Sequence, residues 1–328
     1  MKEEIYEAAL EEENLRSARG NTGLIASYGT TESGISRLKE PQFDMDRVWR
    51  LLEGSIDIHI HSGPCANAAR SYDELEMAIQ ACQAGMKAVV FKCGSMPSAR
   101  SSYIVQKVIS EWAQEHNKRK LDVFGGVVLN YCVGGLNPEA VSTNYRIGGK
   151  FVWLPNRDAS FHRKVMGFPG GIEVLDENDR VVPSLKEILA LVAEGDMVLS
   201  LCHQSTKERF IIIDEARKMG VKRIELMHPT QVTAKMTVEQ MKVAAEKGAY
   251  IGFYCVDFDP RQWSWDTFFE ALKVVGVDHL IAATDSGTFD YPSPVEAMRI
   301  FITKMLSSGI PDKDVEKMVK TNPSALIY

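Results

Sequence analysis

Seven histidines are spread through the 328 residues of the chain, and their placement is the first sign of chemistry. Asp57, His59 and His61 are two apart in Asp57-Ile-His-Ile-His-Ser-Gly-Pro64. On a β-strand this spacing puts the three on one face and Ile58 and Ile60 on the other. Two imidazoles on one face can hold a divalent cation, although an isolated His-x-His pair also suits two buried histidines bonded to backbone. Three further residues change the balance: His203, His228 and Asp285 each close a short apolar run, as His61 does. His116, His162 and His279 have no such placement and read as structural or solvated. His162 is the one of these whose segment could fold over a site.

The apolar runs are Ser55–His61, Lys87–Cys93, Leu121–Asn130, Lys150–Leu154, Met197–His203, Arg223–His228, Ala249–Cys255 and His279–Asp285. Amphipathic stretches separate them, which is the alternation of a parallel sheet. Eight such units predict a (β/α)8 TIM barrel, in which the C-terminal strand ends converge on one mouth. Residues far apart in sequence would meet there, and independent core histidines have no reason to choose the same end of the barrel. Helix starts are marked by Ser71-x-x-Glu74, Ser184-x-x-Glu187, Ser205-x-x-Glu208 and Thr237-x-x-Gln240 as capping boxes, and by Asn137-Pro138 as N-cap and first turn. Gly85 ends the helix before the second strand.

Two regions break the alternation. Residues 156–184, after the fourth strand, carry Gly170-Gly171, Ile172–Leu175, a polar Asp176–Asp179 turn and Val181-Val182, predicting a β-hairpin insertion over the mouth. Residues 1–44 form an N-terminal helical arm, with a charged helix near Glu3–Arg19 and then a Gly/Ser/Thr-rich stretch. The barrel domain occupies 45–328, opening with a helix around Met45–Glu53.

A formal charge of -6 argues against nucleic acid or an anionic membrane as partner, since both select concentrated positive charge. No run is apolar enough for a signal peptide or a membrane span, so the expectation is a cytoplasmic protein, a homo-oligomer acting on a small molecule. The six cysteines are scattered singly, which suggests neither a disulfide framework nor a structural zinc knuckle.

With these residues in place, the chain resembles the amidohydrolase superfamily, whose pattern is His-x-His on strand one, single histidines on strands five and six, and an aspartate on strand eight. Within it, the block around His59 and His61 is similar to the DUF6282 family. So are Gly85-Met-Lys-Ala-Val-Val-Phe-Lys92, Gly125-Gly-Val-Val-Leu-Asn130, Gly134-Gly-Leu-Asn-Pro138, Val152-Trp-Leu-Pro155 and Thr321-Asn-Pro323. The resemblance runs from about residue 45 to the C-terminus. It implies His59, His61, His203, His228 and Asp285 as ligands. Many superfamily members bridge two metals with a carboxylated lysine on strand four, but here that strand ends Val152-Trp-Leu-Pro-Asn156. Lys92 at the end of strand two as a carbamate, Cys93 as a thiolate, or Lys92 as a cation that binds substrate are the alternatives.

The ligand set implies one or two divalent ions, Zn2+ first, with Mn2+ or Fe2+ also compatible. Asp285 would act as base and then acid, and His228 as second-metal ligand or proton shuttle. Asn130, Asn156, Arg157, Gln204 and Tyr254 lie at or after strand ends as candidate substrate contacts. The expected reaction is hydrolysis of a C–N or C–O bond: amide, cyclic amide, lactone or deamination. Metal-dependent decarboxylation and a non-catalytic metal-binding sensor or scaffold are the rivals. Trp263, Trp265, Phe289 and Tyr291 could wall a pocket or simply pack.

Overall fold

The computed structural model describes residues 44–66, 68–231, 234–255, 265–289 and 291–328. The N-terminal arm, except Asp44, and Trp263 therefore lie outside the described residues. No helix among those described is long and apolar enough to cross a membrane.

Every apolar run forms a strand: β1 (Ile56–Ile60), β2 (Ala88–Phe91), β3 (Asp122–Phe124), β4 (Gly126–Val128), β5 (Phe151–Trp153), β6 (Val198–Leu201), β7 (Arg223–Met227), β8 (Tyr250–Tyr254) and β9 (Leu280–Ala283). All pairings are parallel and consecutive, in the orders β1-β2-β3 and β4 through β9. The single third run is split at Gly125. A Cβ there would lie 2.6 Å from Ser102 Oγ, and one on Gly126 would lie 2.2 Å from Phe151 O. Ser98 spans the break: its Oγ donates to Phe91 O (2.7 Å) and accepts from Gly126 N (3.0 Å). At the other seam Asp285 N donates to His59 O (3.0 Å) and His61 N to Ser286 O (2.8 Å), bringing the last strand back to the first.

Two layers of apolar side chains follow from the strand period. Ile56, Ile58, Val90, Phe151, Trp153, Met227, Tyr254 and Ile281 fill the barrel, and Leu326 and Ile327 of the C-terminal helix Asn322–Ile327 join that inner cluster. Val89, Phe91, Leu199, Leu226, Phe253 and Ala282 pack outward on the helices.

The helices between strands include α1 (Met45–Leu52), α2 (Glu74–Gln83), α3 (Ala99–Glu115), α4 (Pro138–Arg146), α5 (Ser160–Val165), α6 (Pro183–Glu194) and α7 (Thr206–Lys218). The boxes at Ser205/Glu208 and Thr237/Gln240 and the Asn137 cap form as expected. Two do not. On α2 the box is Asp73 with Glu76, two residues later than Ser71/Glu74, and α6 starts on Pro183 after Val182 with no side-chain cap. In the insertion after β5 the expected hairpin is minimal, one antiparallel bridge between Leu175 and Val181 around the Asp176–Asp179 turn. The rest of that segment contributes α5, which the sequence reading did not contain. Trp265 stacks on Phe269 and edges onto Phe301, so it packs between helices rather than walling a pocket.

Displaced from capping, Glu74 is partly buried, and its Oε1 accepts from Ser101 Oγ (2.9 Å). Burial, opposed by the Ser101 and Ser62 hydroxyls, pushes its carboxyl up to about 7. A carboxyl raised in the fold contributes stability below its ordinary value of 4.5 that is lost as pH rises through 7. Glu74→Gln should therefore raise Tm at pH 8, with a gain that shrinks toward pH 5. A gain that grows on acidification in thermal melts would contradict this.

Candidate metal centre

The site begins with an irregularity in β1. Asp57 pairs with Val89 but Ile60 with Phe91, so one extra residue is inserted between them. Such a bulge reverses the alternation and re-aims side chains. Ile58 lies in the inner cluster and Ile60 in the outer one. This corrects the expectation that the two isoleucines share a face. After the bulge, His59 and His61 line the cavity at the mouth.

Asp57, which the simple alternation placed beside the histidines, holds them from below. Its carboxylate accepts from Thr284 N (3.1 Å), His59 N (3.2 Å) and the Thr284 hydroxyl, locking β1 to the end of β9. Burial, against these bonds, pushes it up to about 7. On the opposite side the fully buried Arg209 guanidinium donates to Cys202 O and to Met227 O (3.0 Å), the carbonyls just before His203 and His228. His228 and Asp285 themselves sit at positive φ, 47° and 52°. Non-glycine residues adopt this conformation at a cost, His and Asp more readily than most, and here it turns the chain at two cavity-lining strand ends. Gly287 supports the turn: at φ 116° it approaches His61 O so closely that a Cβ would lie 1.6 Å away.

Three ligand atoms converge. Asp285 Oδ1 lies 3.0 Å from His61 Nε2 and 3.1 Å from His59 Nε2, and the two Nε2 atoms are 3.3 Å apart. His61 Nδ1 is 2.8 Å from Lys92 O. A carbonyl only accepts, so Nδ1 carries the proton there. Burial lowers the His61 pKa and holds His59 well below its ordinary value, against the pull of Asp285. In its neutral form, with the proton on Nδ1, His61 turns the lone pair of Nε2 toward a carboxylate oxygen. Burial alone would raise Asp285, but His59, His61 and His228 around its oxygens carry it well below the usual carboxylate range. Asp285 Oδ1 is buried and faces both Nε2 atoms. Two imidazole nitrogens and a carboxylate oxygen facing one another fit a divalent cation, with Lys92 O fixing one ring as an outer partner.

The remaining predicted residues arrange themselves around this trio. His228 Nε2 is 3.5 Å from Asp285 Oδ2, its ring 5.6 Å from that of His59. His203 lines the same cavity, but its Nδ1 is 2.7 Å from Nδ1 of His162 on α5. His162, set aside in sequence as structural, is thereby brought to the site by the insertion; burial, Arg157 and Arg163 lower it to about 4. Asn156 and Arg157 line the cavity. Asn130, Gln204 and Tyr254 spend polar atoms on the protein: Asn130 Nδ2 on Asn156 Oδ1 (2.6 Å), Gln204 Nε2 on Pro155 O (2.7 Å) and Tyr254 Oη on Glu225. Lys92 is 2% exposed, with Nζ 3.5 Å from Met227 Sδ and 3.9 Å from Cys202 Sγ. The Cys93 thiol lies 3.5 Å from Ser95 Oγ, and the Cys65 thiol and burial push its pKa up. Cys65, Arg70, Gly94 and Gln231 also line the cavity; Arg70 and Gln231 were missed in sequence, being loop residues with no periodic signal. Glu225, buried beneath Tyr254, carried a faint signal as a lone charge inside the Ile224–Met227 run.

A sequence model described as a family of unknown function, DUF6282, matches residues 54–252. Among proteins of curated function no relative matches. Solved structures share the fold. An amidohydrolase from Pseudomonas aeruginosa is 13% identical with a TM-score of 0.55, over 85% of this chain and 98% of that one. A probable dipeptidase from the same organism is 11% identical with a TM-score of 0.58, over 87% and 98%. A dipeptidase described as a metallo peptidase is 12% identical with a TM-score of 0.52, over 84% and 98%.

The Asp57 clamp yields a stability test. Asp57→Ala leaves Thr284 N, the Thr284 hydroxyl and His59 N buried without their acceptor, at about 1–3 kcal/mol each, so a loss of roughly 3 kcal/mol or more is expected. Thr284→Val removes only the hydroxyl bond and should cost about 1 kcal/mol. Urea unfolding of the two variants checks this; equal small losses would show that Asp57 does not hold the seam.

Proposed function

The chain belongs to the DUF6282 family, and from that premise and the geometry of its barrel mouth we propose that it is a metal-dependent hydrolase of the amidohydrolase type, cleaving a C–N or C–O bond of a small molecule. The observation that carries this reading is the approach of His59 Nε2, His61 Nε2 and Asp285 Oδ1 to within 3.0–3.3 Å. These three residues would hold the ion. A bound divalent ion supplies Lewis acidity, polarising a carbonyl and bringing the pKa of water to about 7. Zinc suits the imidazoles best, with manganese or iron as alternatives.

The chain's own residues handle the proton. Asp285 turns Oδ1 to the strand-one histidines and Oδ2 to His228 Nε2 at 3.5 Å. A proton taken from water at the carboxylate can pass across that gap, so Asp285 serves as base and then as acid toward the leaving nitrogen or oxygen, with His228 as its partner. With a second ion, His228 and His203 would be ligands instead. Lys92, converted to a carbamate by bicarbonate, would then be a further anionic ligand. Asn156, fixed by Asn130, and Arg157 orient the substrate beside the trio.

Purified protein loaded with zinc should hydrolyse members of an amide, lactone and aminopyrimidine panel, and chelation should remove activity and lower Tm together. Asp285→Asn should lower kcat by roughly 10²–10⁴-fold, the range of a general base. Carbon dioxide release without a hydrolytic product would make the enzyme a decarboxylase. Full turnover in the chelated protein would overturn the reading.

A further inference from the structure

The insertion after β5 brings a second pair of imidazoles together. Nδ1 of His162, on α5, lies 2.7 Å from Nδ1 of His203, which follows β6, and the ring centroids are 4.7 Å apart. The distance decides what the contact is. Two imidazole nitrogens bound to one tetrahedral zinc at about 2.0–2.1 Å stand roughly 3.3 Å from each other, which is the spacing of His59 and His61. At 2.7 Å no ion fits between the nitrogens, and the length is that of a hydrogen bond. Two N–H groups, or two lone pairs, would repel at that range, so one Nδ1 carries a proton and the other accepts from it.

Backbone, rather than its partner, holds His162 in place. Ser160 N donates to Ile172 O (3.0 Å) and Ile172 N to Asp158 O (2.7 Å), a parallel bridge that closes the two ends of the excursion carrying α5. The Asp158 carboxylate accepts from Tyr131 N (2.8 Å), which ties the excursion to the turn after β4. Gly171, at φ 136°, lets the returning chain pass, since a Cβ there would lie 2.3 Å from Ser160 Cα. His203 lines the cavity and His162 does not. Nδ1 of His203 is therefore the nitrogen spent on the insertion, and Nε2 is the one left for the mouth. Beside it the His228 ring stands 6.2 Å away, edge to face, with its Nε2 3.5 Å from Asp285 Oδ2.

We propose that His162 is a positioning residue whose bare Nδ1 accepts from His203 Nδ1–H, so that His203 Nε2 turns a lone pair into the mouth and, with His228 and Asp285 Oδ2, makes a second zinc position beside the trio. His162 does for His203 what the Lys92 carbonyl does for His61, whose Nδ1 is held from outside at 2.8 Å while its Nε2 faces in. An outer partner of this kind fixes the orientation and basicity of a ligand ring. A carbonyl can only accept, whereas an imidazole can also donate. The opposite polarity, with His162 Nδ1–H on a bare His203 Nδ1, would put a proton on His203 Nε2 and close the position to a cation. The insertion thus sets whether the mouth holds one ion or two. This rests on the metal reading of the trio, not on the reaction proposed for it.

Nitrogen NMR of histidine-labelled, metal-stripped protein at pH 8, with His203 identified by its absence from His203→Gln, reads the polarity directly. His203 should carry its proton on Nδ1, and a proton on Nε2 would overturn the proposal. Zinc titration against a competing chelator, on variants that circular dichroism reports as folded, reads the consequence. Wild type should bind two zinc ions; in His162→Leu the second should weaken roughly 10–100-fold, the usual effect of losing an outer partner, while the first stays within about threefold. His162→Asp, an acceptor that cannot donate, should keep the second ion. A single zinc in wild type, equal second-site affinity in wild type and His162→Leu, or loss of the second ion in His162→Asp would each overturn the proposal. The failures are distinguishable: no zinc at all would count against the metal reading of the trio, and two ions without turnover would count against the hydrolase reading alone.

Discussion

The structure of the barrel mouth turns on a repulsion. A neutral His61, its Nδ1 donating to the Lys92 carbonyl, aims the lone pair of Nε2 at a carboxylate oxygen 3.0 Å away. In a buried pocket two facing lone pairs are unfavourable unless a positive charge stands between them. Everything nearby holds that arrangement in place rather than relieving it. Asp57 clamps His59 and Thr284, Arg209 ties the carbonyls before His203 and His228, and Gly287 admits the turn after Asp285 against His61 O.

The bulge in β1 is what makes the arrangement available. An unbroken strand would point Ile58 and Ile60 the same way, leaving one of the two layers short of a side chain. With one residue inserted, Ile58 fills the barrel, Ile60 joins the outer layer, and both imidazoles still reach the mouth. The same economy recurs at Gly252, whose missing Cβ leaves room for the Tyr254 hydroxyl and Glu225 beneath the site.

The barrel could be read in sequence because each strand buried on both sides needs its own apolar run, and eight such runs leave few other folds. The strand-end positions of His59, His61, His203, His228 and Asp285 were legible for the same reason: a residue's place along a strand follows from where the run stops. What could not be read depends on one-residue detail or on loops. The bulge leaves no mark in an alternating Ile/His pattern. A Ser-x-x-Glu box also occurs two residues before the true Asp73 cap, and only packing of α2 selects between them. Arg70 and His162 arrive on loop and insertion, where position is set by tertiary contacts such as Arg70 with Thr288.

The central claim is that the trio is a cation site, and X-ray absorption at the zinc edge of zinc-loaded protein tests it most directly. The account predicts a first shell of nitrogen and oxygen, with imidazole nitrogens at about 2.0–2.1 Å, that is lost in His61→Ala. A protein that retains no zinc, or one whose zinc shell is dominated by sulfur and persists in His61→Ala, would contradict it.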